Sequence, residues 1–346
     1  MQLNARAGLL AGSLREELAA RSRIYARGRA HAESYGSQPV IVFEPDGERH
    51  GNFFDPAYAA ILANHNWMRR FDKIHTQGAR SLPRPALDPG RRWRELDSSM
   101  SSDALLMNIF CTPGVVDSAS LQGVLGVQAG AQPEFGWKAK VPLANGRFDR
   151  TEVDMRLGSL LPGSLLVEAK LTESDFQRRS AAIVEAYRDF DAVFERDLLP
   201  RAAIPIARPR RASEFPEDNS QEFESLVCDP ELFPALNPLA EDPIVDAPAE
   251  AGYEGYQLIR NVLAAYATGA SFCVLHDQRR PDLCEAWFEV MAAVKSAELR
   301  VRLKVLTWQE LAAYLPEELQ EFLDVKYGIV APGRVPAPIQ ENESTE

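Results

Sequence analysis

The sequence is poor in the residues that build stapled or metal-tied folds. Its four cysteines (Cys111, Cys228, Cys273, Cys284) are scattered over 346 residues with no C-x-x-C pair. That scatter excludes a disulfide framework and predicts reduced thiols in a cytoplasmic setting. Five histidines occur, none in H-x-x-x-H or H-E-x-x-H spacing. A histidine-built zinc site therefore has no local support. Long apolar runs are missing too: no stretch approaches the ~18 to 20 residues of a membrane span. The apolar patch Ala7–Gly12 is short and soon followed by charge, which argues against a cleaved signal peptide. The motifs G-x-x-x-x-G-K-[ST], G-x-G-x-x-G and G-x-S-x-G are absent. Their absence removes P-loop translocation, dinucleotide binding and α/β-hydrolase chemistry. Hydrophobic residues at 45% and charged residues at 25% exclude a wholly disordered chain.

The net charge of -12 argues against a nucleic-acid partner until its distribution is read. Between Ala212 and Gly255 stand twelve acids and no Lys or Arg, so the rest of the chain is neutral. Residues 1–100 hold 15 Lys and Arg against 11 acids, a surplus of +4. Local charge governs phosphate binding, so a neutral body with a basic N-terminal part can face a nucleic acid. On charge alone, a merely solvated surface is the better explanation.

Periodicity and turn residues predict the elements. Helices are expected over Ser13–Glu33, Pro56–Phe71 and Ser102–Phe110, with a short strand at Pro39–Glu44. Ser81–Gly90, with three prolines, reads as a connector. Phe135–Leu143, Arg150–Leu157 and Leu165–Leu171 read as a three-strand meander, the first turn being Asn145-Gly146. A long helix is expected from Ser174 to about Leu198, then a Pro-rich, acidic insertion over 201–255 with little regular structure. Helix, strand, helix, strand and helix follow at Tyr256–Thr268, Ser271–His276, Asp282–Ser296, Val301–Thr307 and Trp308–Tyr327. The order implies an α/β fold, with a mixed central sheet flanked by helices and an N-terminal helical extension. The expected division is a mildly basic region over 1–97, a main domain over 98–330 and a disordered tail over 331–346.

The chemistry-bearing stretch is T-E-V-D-M-R-L-G-S-L-L-P-G-S-L-L-V-E-A-K-L-T-E, Thr151 to Glu173. Side chains alternate along a strand, so Glu152 and Asp154 share one side and Glu168 and Lys170 share another. Thirteen residues separate Asp154 from Glu168, enough for one turn between neighbouring strands. Three carboxylates and a lysine can then meet on one face. Glu168 and Lys170 interrupt an apolar strand, where charge is costly unless paired or metal-bound. Carboxylate oxygens suit Mg²⁺ or Mn²⁺, which would acidify a bound water and neutralise charge on a phosphate. The lysine would orient or deprotonate that water, or stabilise the transition state. The rival reading is an edge strand with a solvated Glu/Lys ladder. Glu173 is expected to cap the following helix with Thr172. Trp67, Phe71, Trp93 and Trp137 lie among Arg69, Arg70, Arg92 and Arg94, a pattern that fits either base stacking or core packing.

The stretch resembles the PD-(D/E)XK nuclease superfamily, the restriction-endonuclease-like fold. Asp154 matches its first acid, Glu168 its second and Lys170 the lysine of E-x-K. The nearest likeness is to a group of bacterial restriction-endonuclease-like proteins. It lies in S-S-D-A-L-L-M-N-I-F, E-V-D, V-E-A-K-L-T-E and Y-Q-L-I-R-N, and covers about Ser98–Gly328. Val153 stands where many members have proline. The resemblance implies metal-dependent phosphodiester hydrolysis, with Asp154 and Glu168 holding Mg²⁺ or Mn²⁺ and DNA as the substrate. It also implies support from Gln257 or Arg260, which share a helix face, and leaves open a homodimer that cuts two strands. Glu152 is read as a supporting residue, a further metal ligand or a solvated strand position. The alternative function is a nucleic-acid- or partner-binding protein that keeps this fold without hydrolysis.

Overall fold

A computed structural model describes residues 2–34, 39–73, 94–158, 163–205 and 249–336 of the chain. The expected connector at Ser81–Gly90, Arg92, Trp93, most of the acidic insertion and the tail beyond residue 336 lie outside them.

Five strands form the central sheet: β1 (Pro133–Pro142), β2 (Phe148–Leu157), β3 (Leu165–Ala169), β4 (Ser271–His276) and β5 (Leu303–Thr307). Their order in space is β5-β4-β3-β2-β1. β1, β2 and β3 run antiparallel, as short turns require, while β3, β4 and β5 are parallel. The fold is the expected mixed sheet flanked by helices.

Two cores cover its faces. Leu166, Phe272 and Val274 point to one face, under a helix at Tyr256–Thr268 and another at Pro281–Ala292. These helices carry the crossovers between the parallel strands. Leu165, Val167, Ala169, Cys273 and Leu275 point to the other. There they meet the helices Gln2–Tyr25, Ser102–Phe110 and Glu317–Tyr327. The buried β3 alternates between the two cores, which explains its unbroken apolar run. A third cluster packs Phe53, Tyr58, Ile61 and Phe71 against Ala104 and Met107 of the Ser102–Phe110 helix.

Several expectations needed correction. The helix drawn over Ser174–Leu198 is replaced by a two-residue strand (Arg179–Ser180) and separate turns at Ala181–Val184, Phe190–Val193 and Arg196–Leu198. Its first carbonyls are used elsewhere: those of Glu173 and Ser174 accept from Arg280, and those of Phe176 and Gln177 accept from Gln257 and Tyr256. Gln177 is left-handed, with φ 62°, which a helix forbids. The insertion is closed at its base by paired strands, Arg201–Pro205 and Ala249–Tyr253. Pro56–Phe71 forms two helices, because Asn64 caps the second by accepting from Asn66 and Trp67. Trp308–Tyr327 is also two helices, broken ahead of Pro316. The first helix starts at Gln2 and stops at Tyr25, and His31–Glu33 is a strand.

Candidate active site

The site forms where β2 and β3 part company. Their ladder runs from Leu157↔Leu165 to Met155↔Val167 and stops there. The next backbone donor on β3, the Ala169 N–H, goes to Asp154 Oδ2 at 2.7 Å. A side chain thus takes the place of the next rung, and Asp154 is pinned to the strand that carries Glu168.

The same rung twists β2. Phe135, Met155 and Leu157 pack into one core, whereas Ala139, Val141 and Val153 pack into the other. Gly136 lies where the β1–β2 register skips from Phe135↔Met155 to Trp137↔Val153, and it has φ 61°. A left-handed residue here is what glycine permits at low cost. The twist separates Glu152 from Asp154 despite their shared strand side. Glu152 turns to Arg70 and Lys73, each 3.3 Å from its Oε1.

Glu168 and Lys170 are both buried. Lys170 Nζ lies 3.1 Å from Glu168 Oε1 and donates to Gln257 Oε1 at 2.9 Å. The second Glu168 oxygen accepts from Asn261 Nδ2 at 2.7 Å. Asn261 itself accepts from Thr151 Oγ1 of β2 at 3.4 Å. The backbone of Lys170 is fixed on both sides: its N–H donates to Leu275 O and its carbonyl accepts from Trp308 Nε1.

The electrostatics follow from this packing. Burial raises the Asp154 carboxyl well above the usual carboxylate range, and Glu168 and Asp103 add to the rise. Lys170 and the Ala169 N–H oppose the rise without cancelling it. Burial alone would lower the Lys170 amine, but Glu168, Glu173 and Asp154 outweigh it and hold the ammonium protonated. Arg70 is likewise raised by Asp103, Glu152 and Glu95 against its own burial, with Asp154 contributing.

Of the residues singled out in the sequence, the structure brings Asp154, Glu168, Lys170 and Gln257 together. Arg260 lies elsewhere on the helix, its guanidinium 5.0 Å from the centre of the Tyr256 ring. Glu173 caps no helix, since none follows. It folds back, accepting from Leu171 N and Ser102 Oγ, both at 2.7 Å. Trp67 donates to Pro133 O, Trp137 lies under Arg156, and Phe71 is buried under Arg94. Packing rather than display accounts for all three.

Three residues escaped sequence reasoning as neighbours of the site. Asn261 stands four positions after Gln257, and that spacing could have marked it. Asp103 sits in the first turn of the Ser102–Phe110 helix, where an acid is favoured, and is paired with Arg70. Arg70 arrives from the N-terminal part through long-range packing, for which the sequence carries no signal.

Among the described residues, no group of three or more His, Cys, Asp and Glu side chains is arranged to hold a metal ion. No helix among them is long and apolar enough to cross a membrane.

These features define an α/β protein whose central sheet splits over a buried acid–acid–lysine cluster. The chain belongs to the family described as restriction endonuclease associating with ARP, whose model matches residues 20–328. No curated protein and no solved structure matches the chain.

Proposed function

We propose that the chain is a metal-dependent nuclease of the PD-(D/E)XK type that hydrolyses phosphodiester bonds in DNA. The observation that carries this reading is the meeting of Asp154, Glu168 and Lys170 at the point where β2 and β3 diverge. A buried lysine between carboxylates inside an apolar sheet is costly for stability alone. Membership of a restriction-endonuclease family gives that cost a chemical purpose.

The residues fit a hard divalent cation. Glu168 is a buried oxygen donor and Asp154 a partly buried one, and desolvation, with repulsion from Glu168, raises the Asp154 carboxyl. Mg²⁺ is commonly held by one or two carboxylates, with waters and substrate phosphates completing its shell. Two protein acids therefore suffice without a preformed cluster of three. Asp154 and Glu168 would hold Mg²⁺ or Mn²⁺, which when bound acidifies water and neutralises charge on the phosphate.

The chain's own groups have separable tasks. The Ala169 N–H orients the Asp154 carboxylate. Asn261 and Lys170 each hold one Glu168 oxygen. Gln257 fixes the Lys170 ammonium. Its carboxylate neighbours favour the Lys170 ammonium, and it is placed to orient the attacking water or to donate to developing negative charge.

The test is cleavage of plasmid and single-stranded DNA with Mg²⁺ or Mn²⁺, wild type beside Lys170→Ala. Metal-dependent cutting by the wild type and a loss of about 10²- to 10³-fold in the variant is the expected result. Equal cutting by both proteins would overturn the site. No cutting by the wild type in either metal would overturn the activity and favour a binding protein on this fold.

A further inference from the structure

We propose that the outer face of the β1–β2 hairpin is a nucleic-acid-binding surface, with Lys138, Lys140, Arg147 and Arg150 taking phosphates and Phe148 stacking on a base. This rests on the nuclease reading and deepens it by saying where the substrate strand runs.

The hairpin extends past the rung at which its ladder with β3 stops, so its far half is two-stranded. Its inner face is fully used: Ala139, Val141 and Val153 are buried against the Tyr256–Thr268 helix. The alternate side chains therefore point outward. They form three successive cross-strand pairs, Lys138↔Glu152, Lys140↔Arg150 and Pro142↔Phe148. From the Glu152 rung to the Phe148 rung is about 14 Å, four residues at ~3.4 Å each. The strip starts beside the candidate site, because Glu152 shares Arg70 with it.

Lys140 and Arg150 are exposed and directly opposite, an arrangement that destabilises a strand pair. Lys138 faces an acid already taken by Arg70 and Lys73. Among the described residues, Lys138, Lys140, Arg147 and Arg150 make no ion pair. Phe148, next to them, leaves 59% of its surface exposed. Cations interleaved with an open aromatic ring are what a backbone track with a stacking platform requires. The surface is also rigid. The hairpin tip is bridged to Tyr187, Ala144 N donates to Ala186 O, and Arg188 N donates to Pro142 O.

The experiment is fluorescence anisotropy on labelled duplex and single-stranded DNA over a salt series, in EDTA and again in Ca²⁺. It compares wild type, the triple variant Lys138→Gln/Lys140→Gln/Arg150→Gln, and Phe148→Ala. The triple variant should bind more weakly, and its log affinity against log salt should be shallower by about 2.7, roughly 0.9 per cation removed on duplex. Its Tm should not fall, since the change removes a like-charge pair; this separates lost binding from lost folding. Phe148→Ala should weaken single-strand binding by about tenfold.

Superimposable salt curves for wild type and triple variant would overturn the surface, as would a wild type that binds neither DNA. Displacement of the DNA by polyglutamate as readily as by nucleic acid of equal charge would overturn the assignment to nucleic acid. Hairpin-dependent binding by a wild type that never cuts would sink the nuclease reading and leave this surface standing. Cutting by a wild type whose binding ignores the hairpin would do the reverse.

Discussion

Two parts of this molecule set an aspartate beside a buried lysine, Asp97 being buried and Asp154 partly so, and treat them in opposite ways. In the N-terminal part, Asp97 accepts from His50 Nε2 at 3.0 Å, from Arg94 Nε at 3.0 Å and from Arg94 N at 2.9 Å. Burial would raise its carboxyl, but these donors outweigh it and hold it below the usual range. Nearby, Lys326 Nζ donates to both Asn52 oxygens and to the Tyr327 hydroxyl. With neutral oxygens around it, burial wins and its amine is lowered well below the ordinary value. At the sheet split the signs reverse: Asp154 is raised and Lys170 is raised. The first network is matched donor to acceptor and anchors the fold. The second keeps surplus negative charge that the fold alone does not require. Unrelieved charge of this kind is the mark of a place kept for chemistry at some cost in stability.

The two aspartates give the sharpest way to break that comparison. Asp97→Asn removes the charge facing His50 and Arg94, and should cost about 3 kcal/mol of stability. Asp154→Asn keeps an oxygen for the Ala169 N–H and removes repulsion with Glu168 and Asp103. It should leave stability unchanged or raise it by about 1 kcal/mol, while cleavage falls by about 10²- to 10³-fold or more. Thermal unfolding in EDTA beside a cleavage assay reads both. If both variants lose similar stability, the contrast between an anchor and a working site fails.

The sequence showed the sheet more readily than the way its strands separate. Tyr256–Thr268, Ser271–His276 and Ser102–Phe110 were legible to the residue, because each has an apolar period bounded by turn or cap residues. Glu168 and Lys170 were legible as candidates because charge inside L-L-V-E-A-K-L is anomalous. The misread helix after Ser174 shows the limit. Its composition is helical, yet distant partners, Arg280 and the N-terminus of the Tyr256–Thr268 helix, claim its carbonyls. Tertiary demand of this sort overrides local propensity. Arg70 was legible as a cation beside Trp67 but not as a neighbour of the site, for a related reason: about 80 residues of chain separate it from Glu152, and only packing of the Phe53–Phe71 cluster brings it near.

A smaller effect sharpens the comparison within one helix. Asn261 holds Glu168 Oε2, whereas its neighbour Arg260 lies over Tyr256. Asn261→Ala removes a donor that positions the carboxylate. It should lower kcat about tenfold with KM little changed, one hydrogen bond to a carboxylate being worth about 1.5 kcal/mol. Arg260→Ala should cost less. Partial recovery in Asn261→Gln would tie the loss to the amide. Equal losses at both positions would mean that the helix, and not the amide, is what matters.

The smallest expected effect is in the pH dependence of stability, where the two regions should pull against each other. Burial lowers His50 below its ordinary 6.5, and Asp97 only partly offsets this. Its Nδ1 accepts the Asn52 N–H at 3.2 Å, so the neutral ring is the one that fits. Below pH 6.5 the unfolded chain therefore takes up a proton that the folded chain resists, and stability falls with acidification. Asp97, lowered from 3.8, acts in the same direction at still lower pH. Asp154 has the opposite sign. Raised above 3.8, it binds a proton more readily folded than unfolded, so acidification towards that value adds stability. Asp154→Asn removes the compensating gain, so its Tm should fall more steeply with acid than that of the wild type. A melting series from neutral pH down towards 3.8 in EDTA, wild type beside Asp154→Asn, decides it: parallel curves would show that burial and its neighbours do not raise the Asp154 carboxyl, and the asymmetry between the two aspartates would lose its electrostatic basis.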